Sequence, residues 1–272
     1  MIIAEIGSNW KISEDDDDNW CHLIDFIKKL DFVDIIKFQF WDTNTFIHPS
    51  HPGYATFKEY EFPSHWYKRV FNLIGEKRFM STCFDIHTAD QLKKIGQTNW
   101  KIASGDITNL ALIKHIAKYK DTMYISTGNA TYREIFDAYL TAENFTNEVT
   151  IMHCISKYPV KQEELAIGRM LSLKKAYRDI GFSSHLLFKD MKNIIPILAV
   201  KNIDIIEIHV KNKVTPSPDY NFSHSINELK LITQEIKKYN SLTKEEGIPD
   251  QTEKAWSSRD KDGLRPLEYL RT

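Results

Sequence analysis

The chain has 272 residues, 42% hydrophobic, 12% aromatic and 27% charged, which is typical of a globular protein and excludes a disordered one. Its 36 basic and 37 acidic side chains nearly cancel, so the net charge of −1 gives no reason to expect nucleic acid or an anionic membrane as a partner. With no signal peptide, no apolar run near the roughly 18 residues of a membrane span, and no CxxC pair among three cysteines, we predict a cytoplasmic protein with reduced thiols.

Eight short apolar runs predict β-strands, and they alternate with one-sided helical patterns. The predicted strands are residues 2–7, 35–40, 78–84, 100–106, 122–128, 149–156, 179–185 and 203–210. Between them, apolar residues recur at three- and four-residue spacing, which indicates amphipathic helices. Near-continuous apolar strands separated by helices favour a parallel sheet, and eight such units fit a closed barrel better than an open sheet. The sequence therefore predicts an α/β protein with a (β/α)8 TIM barrel fold.

Two segments do not follow this repeat. Residues 41–65 form a long insertion whose many aromatic residues favour a lid or a substrate wall over a disordered excursion. The polar, aperiodic residues after about 240 have no strand or helix pattern. We predict one barrel domain over residues 1–240 and a C-terminal extension over 241–272, packed across the barrel or onto a partner, with no separate second domain.

Polar side chains near the carboxyl end of each predicted strand are the candidate site residues, because TIM barrels build their active sites at that end. Polar groups on strands that feed a packed core cost free energy unless they are paired or bound to a ligand. The candidates are Glu5, Asn9, Lys37, Gln39, Thr82, Asp85, Lys101, Ser104, Asp106, Ser126, Thr127, His153, Ser156, Tyr158, Ser183, His185, Glu207 and His209. Of these, His153 lies in mid-strand and is predicted to be packed or to support the site residues from behind.

Lys37 and Lys101 fall on two of the short strands, and serines end several others. Together they predict a cationic, hydroxyl-lined pocket that suits a ligand with a phosphate and a carboxylate. A single lysine on a strand is more often a snorkelling or edge residue. The occurrence of two, each followed by a polar residue on its own strand, favours the pocket.

His185 and His209 end two neighbouring strands and would lie side by side at the barrel mouth. Neutral imidazole binds divalent transition ions, and a two-histidine site with open positions can polarise a carbonyl. The alternative, which the residues alone leave open, is that both are hydrogen-bonded structural histidines.

Nine motifs, in order over residues 1–240, resemble those of the N-acetylneuraminate (sialic acid) synthase family. They are IIAEIGSNW, IIKFQ, FMSTCFD, WKIASGDITNLALIKHIAK, ISTGNAT, HCISKYP, GFSSH, IEIHV and PSPD. The resemblance implies a (β/α)8 barrel that condenses phosphoenolpyruvate with an acylated aminosugar aldehyde for surface polysaccharide biosynthesis. The products would be a 2-keto-3-deoxy acid and phosphate. It also implies a divalent metal cofactor, Mn²⁺ first, with Mg²⁺ and Co²⁺ as alternatives.

The same resemblance implies roles for individual residues. Lys37 and Lys101 would bind phosphoenolpyruvate, and His185 and His209 would hold the metal. Two acidic residues, Asp106 and Asp219, would act near the substrates and complete the predicted catalytic set. Together with the strand-end candidates, the predicted substrate-binding residues are Asn9, Gln39, Thr82, Ser104, Ser126, Ser156, Tyr158 and Ser183.

The chain departs from the family pattern at several positions. Trp10, Lys11 and Ser184 stand where the family has a histidine, an acidic or polar residue, and an aspartate. We expect these changes on the sugar side, where they predict an altered acceptor or lost catalysis. We expect no counterpart of the family's C-terminal antifreeze-like domain in this chain. The arginine that this domain supplies would then be replaced by Arg259 or Arg265, or be absent. Because family members tend to dimerise, a homodimer is one expected assembly.

Three other functions fit the same residues. One is an octulosonate-type synthase that joins phosphoenolpyruvate to a shorter sugar phosphate. Another is a class I aldolase with Lys101 as its Schiff base. The third, from a different class, is a non-catalytic barrel that binds sugar acids or serves as a scaffold.

Overall fold

Eight parallel strands close into a barrel, because the first strand pairs with both the second and the eighth. The computed structural model describes residues 1–212 and 215–243. The strands are β1 (Ile2–Glu5), β2 (Ile35–Phe40), β3 (Phe79–Cys83), β4 (Asn99–Ile102), β5 (Thr122–Ser126), β6 (Val149–His153), β7 (Asp179–Ser184) and β8 (Ile205–Lys211). The predicted (β/α)8 fold is confirmed, and every predicted strand is present with ends that differ by a few residues.

Helices surround the barrel, and within the described ranges none is both long enough and apolar enough to cross a membrane. They are α1 (Asp16–Lys29), α2 (Thr43–Phe46), α3 (Tyr54–Glu59), α4 (Tyr67–Ile74), α5 (Ile86–Ile95), α6 (Leu110–Ala117), α7 (Tyr132–Glu143), α8 (Ile167–Ala176), α9 (Phe188–Val200) and α10 (Ile226–Thr243). A two-residue strand, β9 (His224–Ser225), pairs with the end of β8. Residues 241–243 of the predicted extension continue α10, and the rest of that extension lies outside the described residues.

Helix starts follow from local capping. Asp15 accepts a hydrogen bond from the Asp18 amide at the start of α1, and Thr131 forms a capping box with Glu134 at the start of α7. Asp85, one of the strand-end candidates, caps α5 by accepting from the Thr88 amide at 2.8 Å. Its carboxylate is therefore engaged in holding the β3–α5 turn.

The insertion over residues 41–65 contains α2, α3 and a short 3-10 turn. Its rings pack against one another and against the residue that follows β3: Phe46 lies 4.6 Å from Phe84 and 5.0 Å from Phe57 between ring centroids. The Trp41 indole donates to the Phe57 carbonyl at 3.1 Å. The insertion thus forms an aromatic cluster packed beside the carboxyl ends of β2 and β3.

The inside of the barrel changes character along the strands. A deep layer is apolar and consists of Ile3, Ile35, Met80, Tyr124 and Met152. Because side chains alternate along a strand, the residues two positions further along the chain also point inward. Those residues are Glu5, Lys37, Thr82, Ser126 and Cys154. The barrel is therefore packed with hydrocarbon at its amino end and lined by polar groups at its carboxyl end.

Gly181 on β7 allows the deep layer to close. A Cβ at this position would clash with the Met152 sulfur and lie 2.9 Å from the Ile205 carbonyl oxygen.

We expect Gly181→Ala to lower the free energy of unfolding by about 1–3 kcal/mol through overpacking, measured by urea denaturation. The control is Gly168→Ala in α8, where a Cβ would meet no atom within 4 Å. That change should leave stability equal or raise it by up to about 1 kcal/mol. Equal effects of the two would contradict the packing explanation.

Candidate active site

One cavity of about 140 Å³ opens at the carboxyl end of the barrel. Ten of the predicted site residues line it: Lys37, Gln39, Thr82, Lys101, Ser104, Ser126, Tyr158, Ser183, His185 and His209. Its remaining wall is formed by Phe84, Ala103, Cys154 and Glu207. The predicted cationic residues and the predicted histidine pair therefore face a single space.

Four charged side chains form a chain of alternating sign at the bottom of this cavity. The Lys37 ammonium contacts the Glu5 carboxylate and lies 3.6 Å from Glu207 Oε1. Lys101 Nζ lies 3.2 Å from Glu207 Oε2. All four residues are at most 4% exposed. Because a buried ion is costly unless it is paired, each charge here depends on its neighbours.

Strand register brings these groups together. Glu5 is the direct partner of Lys37 on one side and of His209 on the other. Ser183 is the partner of Glu207, and its hydroxyl donates to Glu207 Oε1 at 3.1 Å. A shift of one residue in any of these pairings would turn the polar side chains out of the barrel.

Glu5 and Glu207 are strand-end candidates that the predicted site set omits. Burial alone would raise the pKa of Glu207, but the charges of Lys101 and Lys37 outweigh it and hold that pKa at about 2. Burial lowers the pKa of Lys37 to about 7, although the Glu207 carboxylate opposes that shift. The Glu5 carboxylate, in contact with the same ammonium, also opposes it. The carboxylates therefore favour the charged form of Lys37. In the sequence, the signal for including Glu5 and Glu207 in the site was that they occur on β1 and β8 at the same depth in the barrel as the lysines.

The two histidines lie side by side, with ring centroids 5.5 Å apart, and each is 5% exposed. Burial lowers the pKa of His185 to about 4 and holds the pKa of His209 well below its usual range. His185 Nδ1 donates to the Ile155 carbonyl at 2.8 Å, since a carbonyl only accepts, and this leaves the lone pair on Nε2. Both rings are neutral imidazoles at neutral pH.

Neutral imidazoles are suitable ligands for a divalent transition ion. His209 Nδ1 is buried with no hydrogen-bond partner in the part of the chain that the structure describes. Across residues 1–212 and 215–243, no group of three or more His, Cys, Asp or Glu side chains is arranged to hold a metal ion. The pair therefore fits a metal only as an open two-histidine site whose other ligands come from water or a substrate.

A second compartment adjoins the first and shares Gln39, Tyr158 and His209 with it. Its other walls are Pro218, Asp219 and Phe222. The Phe222 ring centroid lies 4.8 Å from that of His209 and 5.0 Å from that of Tyr158. The histidine pair thus stands at the boundary between a charged compartment and an aromatic one.

Asn9 and Asp219 are held by other protein groups. The Asn9 amide is fully buried and donates to the Val210 carbonyl at 3.0 Å and to the Ser223 hydroxyl at 2.8 Å. Asp219 lines the aromatic compartment, but its Oδ2 accepts from the Ser8 amide at 2.7 Å and the Ser8 hydroxyl at 2.9 Å. The structure places Asn9 outside both compartments.

Asp106 and Ser156 also lie outside the walls of both compartments. Asp106 is half-buried in a 3-10 turn after β4, where burial raises its pKa and a hydrogen bond from Asn109 opposes that shift. Ser156 lies beside Gly128, and a Cβ on that glycine would clash with the Ser156 hydroxyl. His153, as predicted, is packed: its Nε2 bonds to the Leu165 carbonyl at 2.8 Å.

The three positions that depart from the family pattern, Trp10, Lys11 and Ser184, were expected on the sugar side of the site. None of them lines either compartment. Trp10 is 4% exposed and packs edge-on against Phe62 and Trp66. Lys11 pairs with Glu14 at 3.0 Å. Ser184 is buried on the outer face of β7, because its neighbour Ser183 points inward, and its hydroxyl accepts from the Leu186 amide at 3.2 Å. Alternation along β7 is the physical reason for the difference at that position.

Residues 23–247 match the NeuB family. The chain is 30% identical over 258 residues to the spore coat polysaccharide biosynthesis protein SpsE of Bacillus subtilis, covering 88% of this chain and 67% of that protein. It is 34% identical over 166 residues to the N,N'-diacetyllegionaminic acid synthase of Campylobacter jejuni, covering 58% of this chain and about half (48%) of that synthase. Its structure is similar to that of the N-acetylneuraminic acid (sialic acid) synthetase of Leptospira borgpetersenii, with a TM-score of 0.81 at 25% identity, covering 93% of this chain and 88% of that one.

A double-mutant cycle on Lys101 and Glu207 tests whether the buried charges support one another. We expect Lys101→Met and Glu207→Gln each to cost about 3–5 kcal/mol in free energy of unfolding, since each leaves a buried charge with less compensation. Their coupling energy should be at least about 1 kcal/mol, measured by urea denaturation. The matched control is the half-exposed pair Asp25 and Lys29 on α1. Its coupling energy should not exceed about 0.5 kcal/mol. A coupling near zero in the barrel would show that the charges are independently solvated.

Proposed function

The chain belongs to the NeuB family, and on that premise we propose that it condenses phosphoenolpyruvate with the open-chain aldehyde of an N-acyl aminosugar. C3 of the enol would attack the aldehyde carbon, water would add at C2, and phosphate would leave with cleavage of its C–O bond. The product is a 2-keto-3-deoxy sugar acid for surface polysaccharide biosynthesis. The observation that carries the proposal is the meeting of two lysine side chains and two neutral imidazoles in one cavity.

The charged compartment supplies the groups that phosphoenolpyruvate needs. Lys37 and Lys101 would pair with its phosphate and carboxylate, with hydroxyl donors from the surrounding strands. Those hydroxyls belong to Thr82, Ser104, Ser126 and Ser183. Glu5 and Glu207 hold the two ammonium groups in position before the anion arrives, and this arrangement is the preorganisation that favours a charged transition state.

The histidine pair stands where the aldehyde would meet the enol. His185 and His209 would hold a divalent ion, Mn²⁺ first and Mg²⁺ or Co²⁺ as alternatives, and when bound such an ion polarises a carbonyl as a Lewis acid. The hydrogen bond from His185 Nδ1 to the Ile155 carbonyl fixes the ring so that Nε2 faces outward from that bond.

The aromatic compartment favours an acceptor without a phosphate. Among the described residues, no lysine or arginine lines it, and Asp219 adds a carboxylate. A sugar phosphate in this compartment would lie beside that carboxylate, and the two negative charges would repel each other. Gln39 and Tyr158 offer donors and acceptors for sugar hydroxyls. These features support an N-acyl aminosugar over the shorter sugar phosphate of an octulosonate-type synthase.

Phosphate release tests the proposed reaction. With phosphoenolpyruvate, Mn²⁺ and a panel of N-acyl aminosugars, we expect acceptor-dependent release of phosphate and a matching product mass. Lys37→Met or Lys101→Met should lower kcat/KM for phosphoenolpyruvate by about 100-fold or more, because each removes a preorganised donor from a buried site. The control, Lys29→Met on the exposed side of α1, should retain full activity. Tight binding of phosphoenolpyruvate without turnover on any acceptor would instead favour a non-catalytic sugar-acid-binding barrel.

Metal binding has a readout that does not depend on turnover. Titration of the protein with Mn²⁺ should remove the EPR signal of the free ion, and His209→Ala should weaken that affinity at least about ten-fold. His87→Ala, at an exposed position on α5, is the matched control and should bind Mn²⁺ like the wild type. Chelation of the metal should abolish turnover and be reversed by added Mn²⁺. Undiminished binding in His209→Ala would refute the two-histidine site.

A further inference from the structure

Phe222 occupies a central position on the acceptor side of the site. Its side chain is 5% exposed, and its ring lies 4.8 Å from His209, 5.0 Å from Tyr158 and 5.9 Å from His185 between centroids. It does not line the charged compartment. Phe222 is therefore close to the place where an aldehyde would bind and away from the groups that would bind phosphoenolpyruvate.

Phe222 contributes to the walls of two cavities. One is the aromatic compartment with Asp219 and Pro218. The other is a separate cavity of about 310 Å³, lined by Phe188, Lys211 and His224 among others. Since Phe222 lines both, we expect removal of its ring to extend the aromatic compartment towards the second cavity.

The segment that carries Phe222 is fastened to the turn after β1. The Ser217 hydroxyl donates to Asn9 Oδ1 at 2.7 Å, and Asn9 Nδ2 donates to the Ser223 hydroxyl at 2.8 Å. The Ser223 hydroxyl in turn donates to the Asp219 carbonyl at 2.7 Å. We call these four residues, Asn9, Ser217, Asp219 and Ser223, the Asn9 clasp. Because Asn9 is fully buried, loss of its side chain would leave several of these polar groups unsatisfied.

We propose that Phe222 determines the specificity of this site for its acceptor, and that Asn9 is the positioning residue that holds Phe222 in place. The proposal rests on the proposed function. Phe222 sets the length of the aromatic compartment and so limits the size of the uncharged substituent that an acceptor carries away from its aldehyde. The Asn9 clasp fixes both ends of the segment 217–223, so the ring keeps its distance from the histidine pair.

The specificity role predicts a change in acceptor preference. The assay uses two acceptor series, one lengthened at the N-acyl group and one carrying uncharged ethers at C6. Phe222→Ala should raise the ratio of kcat/KM for a longer acceptor to kcat/KM for the N-acetyl parent by about ten-fold or more. KM for phosphoenolpyruvate should not change. Phe222→Leu should retain most of the wild-type preference. The matched control is Phe188→Ala, which enlarges the second cavity and leaves the Phe222 ring in place. This variant should not change the acceptor preference.

The positioning role is measured by hydrogen exchange. Asn9→Ala should speed amide exchange in residues 217–223 and lower kcat/KM for the acceptor, with KM for phosphoenolpyruvate unchanged. The control is Asn19→Ala, since Asn19 is equally buried and holds the Ile12 and Ser13 amides at 2.7 and 3.1 Å. That variant should lose stability without faster exchange in residues 217–223.

The outcomes separate the two proposals. A wild-type protein that turns over no acceptor refutes the proposed function and the specificity role with it, whereas hydrogen exchange still decides the Asn9 clasp. A wild-type protein that is active, with a Phe222→Ala variant that gains on neither acceptor series, overturns the specificity role alone. Exchange in residues 217–223 that is the same in Asn9→Ala and Asn19→Ala overturns the positioning role.

Discussion

Mutual compensation among four buried charges is the constraint on which the site depends. Glu5, Lys37, Lys101 and Glu207 lie almost entirely out of water, and moving one such ion from water into a protein interior costs several kcal/mol even after relaxation. The cost is tolerable only because the signs alternate at distances of about 3–4 Å. A core of hydrocarbon would be more stable at this depth. The barrel therefore accepts lower stability in return for the two buried lysines to which the proposed function assigns an anion.

The two-layer interior shows how a stable barrel can carry this cost. The deep layer of Ile3, Ile35, Met80, Tyr124 and Met152 has no charge and closes the barrel by packing. The polar layer begins only two residues further along the chain, on the same inward faces. Stability and chemistry are thus assigned to opposite ends of the same strands, which is the general division of labour in TIM barrels.

Much of this arrangement could be predicted from the sequence, and the physical reason is periodicity. The number and alternation of the strands predicted the barrel. They also predicted that Lys37, Lys101, His185 and His209 converge, because the carboxyl ends of the parallel strands of a barrel meet at one end. The hydrogen bonds of Asn9 could not be predicted in this way, since its partners Ser217 and Ser223 are more than 200 residues away along the chain. The position of Phe222 had no signal, because it lies in a short 3-10 turn that no strand or helix period reaches. Ser184 was expected on the sugar side because its motif is similar to the family's, whereas alternation turns it outward.

The closure of the barrel through the β1–β8 pairing has a consequence for the newborn chain. Ile2 pairs with Ile206, so the last seam of the barrel joins residues about 200 positions apart. At ribosomal speeds of roughly 5–20 residues per second, β1 is made about 10–40 s before its second neighbour exists. During that interval Glu5 already has Lys37 beside it on β2, while Lys101 has no Glu207. The Glu5–Lys37 ion pair can therefore form early. Lys101 must remain hydrated until β8, which carries Glu207, has been made.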